Sequence, residues 1–173
     1  MSIIYMSSSN HQINDYMKKH FKGEFLGCFS ADNLPTSPPT SSNLIANYSD
    51  SDDSDGGTHW VAMINLNADN GEPSLFFDSF GGSPDFEDVV LDKNTHFKSY
   101  MDRHGGRWAR SNVNIQSADG TACGHYACYA ILNQSIPNVS SRGSGSASCW
   151  KPFLSPYTDP KQNDIRIRQL VKL

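Results

Sequence analysis

Residues 115–132, IQSADGTACGHYACYAIL, change character halfway along. Up to Thr121 they are polar and turn-forming; from Cys123 to Leu132 they are apolar on nearly every side, as a helix buried in the middle of a domain must be. The stretch therefore reads as a loop that becomes a central helix at Cys123, and the other segments have to fit around it. Immediately upstream, RWARSNVNIQ (107–116) reads as a strand, with Val113 and Ile115 on one face and Gln116 on the other. Further back, HWVAMINLN (59–67) and SLFFDSF (74–80) are apolar runs separated by the polar turn ADNGEP, so they pair as a hairpin near the sheet centre.

The outer segments follow from periodicity and turn chemistry. NHQINDYMKKHF (10–21) places Ile13, Tyr16, Met17, His20 and Phe21 at helical spacings behind a cap at Ser9 or Asn10. GEFLGCFSADNLPTSPPTSS (23–42) is broken by prolines and serines and is expected to be loop. NLIANY (43–48) fits a buried strand, and the acidic tract SDSDDSDGG (49–57) after it a mobile loop. Residues 85–104 suggest one or two helices closed by Gly105-Gly106. VSSRGSGSAS (139–148) is loop or linker, and TDPKQNDIRIRQLVKL (158–173) is a final helix with Pro160 just inside a Thr or Asp cap. The expected fold is α+β: a small mixed or antiparallel sheet packed against a buried central helix that carries Cys123.

Composition limits the function. A chain of 173 residues is one ordinary domain, and 37% apolar with 11% aromatic residues supplies a core and excludes a disordered chain. A net charge of −4 gives no positive field for nucleic acid or an anionic membrane. MSIIYMSSS lacks a basic region followed by an apolar run, and no stretch reaches membrane-spanning length, so a chain that is neither secreted nor membrane-bound is expected. The cysteines at 28, 123, 128 and 149 show no CxxC spacing, which disfavours structural zinc and suits a reducing compartment.

Four residues fall at element ends in a chemically sensible order. A thiol in the first turn of a helix feels the positive end of the dipole, which favours the nucleophilic thiolate; Cys123 is so placed. A thiolate needs a base that later protonates the leaving amine, and His59, opening a strand in GTHW, is the candidate. Asp78 closes the next strand, so antiparallel pairing brings it to the same open end to orient the imidazole. Glu72 in the turn and Asp85 beyond Gly-Gly-Ser-Pro are the nearby competing acids. Gln116, seven residues before Cys123, can join the Cys123 backbone N–H in holding an oxyanion.

This order of His, acid, Gln and Cys, with GTHW, DSFG and Gln seven residues ahead of the Cys of ACG, resembles the adenovirus-type maturation cysteine proteases. These share a broader superfamily with the ubiquitin-like-protein proteases. The resemblance extends upstream to FKGEFLGCFSADNLP and spans roughly residues 9 to 135. It implies one cysteine protease domain over 1–173, acting as a monomer, with His59, Asp78, Gln116 and Cys123 as its site. It also implies cleavage after Gly-Gly or Gly-x in capsid or core precursors, inside a host cell's nucleus or cytoplasm and in the virion. Removal of ubiquitin-like modifiers, and a non-catalytic scaffold keeping the fold, are the alternatives.

The chain departs from the family in two respects. Adenoviral members are basic, respond to DNA, and bond an activating peptide through a cysteine between the acid and the Gln. No cysteine lies between Asp78 and Gln116 here and the net charge is negative, so neither the activating peptide nor DNA is expected as a cofactor, and no metal is required. Trp60, Cys128 and His125 are expected to be packing residues, and Arg166, Arg168 and Lys172 a solvated face.

Overall fold

A computed structural model describes residues 8–51, 59–85, 96–112, 114–118, 120–133 and 159–173. Helix α1 (Asn10–His20) leads into β1 (Phe25–Phe29), β2 (Ser42–Asn47), β3 (Trp60–Leu66) and β4 (Ser74–Phe77). Helix α2 (Phe97–His104), β5 (Trp108–Arg110), α3 (Cys123–Leu132) and α4 (Pro160–Leu170) complete an α+β fold. The strands form one mixed sheet in the order β1-β2-β3-β4-β5. β2, β3 and β4 run antiparallel, and the edge strands β1 and β5 join parallel to their neighbours.

Both faces of this sheet are covered, which is why its inner strands are apolar almost throughout. Ile45, Trp60, Ala62, Ile64 and Phe77 face α1, α3 and α4 through Ile13, Met17, Tyr126, Ala127, Ile131 and Ile167. Leu44, Ala46, Val61, Met63, Leu66 and Phe76 face α2 through Phe97, Tyr100 and Met101. Gly124 permits the close crossing of α1 and α3, because a Cβ there would lie 3.0 Å from Ile13 Cδ1 and from Ser8 Cβ. The buried helix starts at Cys123 as its composition demands, with Cys123, Cys128 and His125 all inside.

The local signals act as their chemistry dictates. Ser9 caps α1 in a reciprocal box with Gln12, the Gln12 N–H donating to Ser9 Oγ at 3.2 Å and the Ser9 N–H to Gln12 Oε1 at 2.9 Å. The Asp159 side chain accepts from the Lys161 N–H with Pro160 at the first position of α4. At the end of α2 the Gly105 N–H returns to the Met101 carbonyl and Gly106 takes φ +58.

Two segments differ from the sequence reading. The expected loop after α1 contains β1, whose alternation is hidden by Gly27: at φ +125 this residue sits in the register shift between Phe25 and Cys28. The Cys28 N–H there donates to Asn14 Oδ1 of α1 at 3.2 Å. The strand expected over 107–116 is ordered as β only at Trp108–Arg110. Beyond Ser111 the chain leaves the ladder, and the Ile115 and Gln116 N–H groups both donate to the Ser79 carbonyl at 2.9 and 3.2 Å. Val113, residues 86–95, most of the acidic tract and the linker at 139–148 lie outside the described residues. Among the described residues no helix is long and apolar enough to cross a membrane.

Ile13→Ala, emptying a site with no exposed surface, is expected to cost about 2–5 kcal/mol in urea unfolding. Ile165→Ala, at a position 48% exposed, is expected to change stability by less than about 0.5 kcal/mol.

Candidate active site

The antiparallel β3–β4 pairing decides where the acid and base go. His59 immediately precedes β3 and Asp78 immediately follows β4, so both lie at one end of the sheet. There His59 Nε2 stands 2.7 Å from Asp78 Oδ1, with both side chains buried. Glu72 and Asp85, the competing acids, lie elsewhere: Glu72 is exposed in the β3–β4 turn and Asp85 accepts from Ser83 Oγ at 2.5 Å.

Asp78 is fixed by its own turn. Its Oδ1 also accepts the Phe80 N–H at 2.8 Å and its Oδ2 accepts the Gly82 N–H at 3.0 Å. The turn closes through the Gly81 N–H on the Asp78 carbonyl at 2.9 Å, and Gly81 holds φ +74, a region that favours glycine. Just past β5, Ser111 Oγ accepts the Asp78 N–H and donates to the Asp78 carbonyl, both at 2.8 Å. Sequence reasoning missed Ser111, since no motif links it to a residue thirty-three positions away.

The imidazole is flanked by the rings of Tyr48, at 5.7 Å between centroids and nearly parallel, and Phe80, at 4.8 Å and tilted. After Asp78, Cys123 is the other side chain that acts on the charge of the ring. Burial, the largest single influence, works against the charged ring. The hydrogen bonds to Asp78 and Cys123, with the electrostatic attraction of both, outweigh it and raise His59 from 6.5 to about 9. The Cys28 thiol is pushed up to about 12 by burial, and Cys128 is raised by burial and then by Cys28. His125 is driven down to about 4 by burial and then by Arg168, and its Nδ1 lies 3.3 Å from Ser8 Oγ. It is part of the packing against the N-terminal segment.

Gln116 is 1% exposed and held at both ends of its amide. Ser79 Oγ donates to its Oε1 at 2.6 Å, and its Nε2 donates to the Gly120 carbonyl at 2.7 Å. An acceptor at Gly120 fixes which end is nitrogen, so the N–H₂ group points into the segment leading to Cys123. Ser79 follows Asp78 directly, so one turn anchors both the acid and the Gln.

Trp60 is core, its Nε1 donating to the Ser8 carbonyl at 3.0 Å. Arg166 and Lys172 are exposed as expected of a solvated face, but Arg168 turns inward and its Nη2 donates to Thr121 Oγ1 at 2.9 Å. Among the described residues no group of three or more His, Cys, Asp or Glu side chains is arranged to hold a metal ion. Compared with known proteins, the chain matches no family model and no curated protein.

A histidine whose pKa rises on folding binds its proton more tightly in the folded chain. His59 therefore stabilises fully below pH 6.5, and that contribution is lost as pH rises through about 9. Thermal melts between these limits are expected to fall more steeply for wild type than for His59→Asn; parallel curves would contradict the assignment.

Proposed function

We propose that this chain is a cysteine endopeptidase in which Cys123 is the nucleophile, His59 the general base and acid, Asp78 its orienting group and Gln116 an oxyanion donor. The observation that carries the reading is the buried His59–Asp78 pair at 2.7 Å, on whose imidazole Cys123 also acts electrostatically. These residues come from separate elements, and packing alone gives no reason to bury an ionisable ring against a carboxylate with a cysteine acting on its charge.

The chemistry follows from the roles. With the proton already held on the imidazole of His59, whose pKa is raised to about 9, the Cys123 sulfur attacks the scissile carbonyl. The oxyanion formed is received by the Cys123 N–H at the start of α3 and by the Gln116 amide hydrogen not used on Gly120. His59 then protonates the leaving amine and a thioester remains. Water gives a proton to His59 and attacks the thioester, expelling the sulfur, releasing the acid and restoring the sulfur–imidazolium pair. Asp78 keeps the ring in one orientation throughout.

For substrate, the resemblance supports peptides cut after Gly-Gly or Gly-x, in capsid or core precursors. Proteolysis of ubiquitin-like conjugates uses the same residues and is separated by comparing folded conjugates with short peptides.

Hydrolysis of a fluorogenic peptide ending in Leu-Arg-Gly-Gly tests the reading. Wild type is expected to turn over and to be alkylated by iodoacetamide at Cys123 ahead of the other cysteines, Cys28 and Cys128 having raised pKa values. Cys123→Ala is expected to lose roughly ten-thousandfold in kcat. Turnover surviving in Cys123→Ala, or a wild type that shows neither hydrolysis nor selective labelling, would favour the scaffold.

A further inference from the structure

We infer that Asp164, in the C-terminal helix, is a positioning residue for the segment that delivers Gln116 and Cys123, and so controls oxyanion stabilisation in the reaction proposed above, on which this inference rests. Asp164 is 8% exposed. A carboxylate so far from water persists where hydrogen bonds replace its hydration. Ser117 Oγ donates to its Oδ2 at 2.7 Å and the Tyr126 hydroxyl to its Oδ1 at 2.9 Å. Both donors bracket the proposed machinery: Ser117 follows Gln116, and Tyr126 lies one turn into α3 from Cys123.

Further contacts turn this into a clamp. The Tyr126 hydroxyl also lies 3.1 Å from the Ile115 carbonyl, to which Asn163 Nδ2 donates at the same distance. Residues 163 and 164 thus grip both flanks of Gln116. Gly120 completes the grip, since a Cβ there would collide with Asp164 Oδ2 and Ser117 Oγ. Only a glycine admits the carboxylate this close. The Gly120 N–H donates to the Ser117 carbonyl at 2.9 Å and its own carbonyl receives Gln116 Nε2, so a path runs from Asp164 through Ser117 and Gly120 to the Gln amide. One turn further along α4, Arg168 secures Thr121. None of the hydrogen bonds described for Asp164 reaches the side chains of His59, Asp78 or Cys123. Asp164 therefore sets the geometry of the oxyanion donors while leaving the ionisation of the thiol and imidazole to the other side of the site.

Two reactions at the same sulfur separate these functions. Alkylation by iodoacetamide needs the thiolate but no oxyanion site, whereas peptide hydrolysis needs both. Asp164→Ala is expected to lower kcat on the Leu-Arg-Gly-Gly peptide roughly a hundredfold with KM changed less than about threefold. The rate of Cys123 alkylation, and its pH midpoint, should remain those of wild type. Asp164→Asn keeps an acceptor for Tyr126 and an N–H for Ser117 Oγ, and is expected to recover most of kcat. If Asp164→Ala fails to fold, Ser117→Ala carries the same split. Wild-type kcat in the folded alanine variant, or equal loss of alkylation and hydrolysis, overturns the inference while an active wild type leaves the protease reading standing. A wild type that neither hydrolyses nor labels selectively removes both.

Discussion

A cationic imidazole and a carboxylate leave water at a net gain only when contact between them and further hydrogen bonds replace what hydration supplied. That condition shapes one whole end of this fold. Asp78 receives the imidazole and two backbone N–H groups from its own turn, while Ser111 braces its backbone from the neighbouring strand. The antiparallel β3–β4 ladder brings the two residues to one end, and the parallel β4–β5 pairing brings Ser111 beside them. A chain with the same residues and a different strand order would leave the carboxylate with fewer donors and the pair would be a liability. The strand order and the ion pair therefore stand or fall together.

The core contributes rigidity rather than chemistry. Because the sheet is covered on both faces, β3 has no solvent-facing side along which it can slip register without burying polar atoms or exposing apolar ones. Helix α3 is pressed against that sheet through Tyr126, Ala127 and Ile131 and against α1 across Gly124. Its first residue is thereby fixed relative to the end of β3. The start of the helix is held by apolar contacts along the rest of it, which is how a side chain can be positioned by residues that never touch it.

What the sequence disclosed follows the range of the physics involved. The helix beginning at Cys123, the capping box at Ser9 and Gln12 and the Gly105-Gly106 stop depend on neighbours a few residues apart, so pattern suffices to find them. The assignment of His59 and Asp78 to one end required only the hairpin, which turn chemistry and apolar runs disclose. β1 escaped because one glycine in a bulge erased its alternation, and the strand over 107–116 was overdrawn because Asn114, Ile115 and Gln116 continue an extended pattern after the ladder hydrogen bonds stop. Asp164 was illegible: it sits in a polar terminal helix, and its partners Ser117 and Tyr126 are 47 and 38 residues away. Arg168 was misread for the same reason, a charge whose partner is remote in sequence being indistinguishable from one facing water.

The site is assembled from two sides with separate tasks. In the proposed reaction the sheet end would supply acid–base chemistry through His59 and Asp78, and the terminal helix, acting through Ser117, Tyr126 and Gly120, would set the groups that face a developing oxyanion. Ser79 is the joint between them, its hydroxyl on the Gln116 amide and its carbonyl on the Ile115 and Gln116 N–H groups, directly after Asp78 in the chain. Such an arrangement lets the electrostatics of the thiol–imidazole pair be set where charge must be buried, and the oxyanion geometry where backbone must be rigid. Each requirement conflicts with the other if one loop has to meet both: a turn tight enough to wrap a carboxylate spends the N–H groups that an oxyanion would need. Dividing the work between the Asp78 turn and the segment ahead of Cys123 leaves the Cys123 N–H and one Gln116 hydrogen unspent by that turn, and this gives a physical reason for a buried acid on the C-terminal helix.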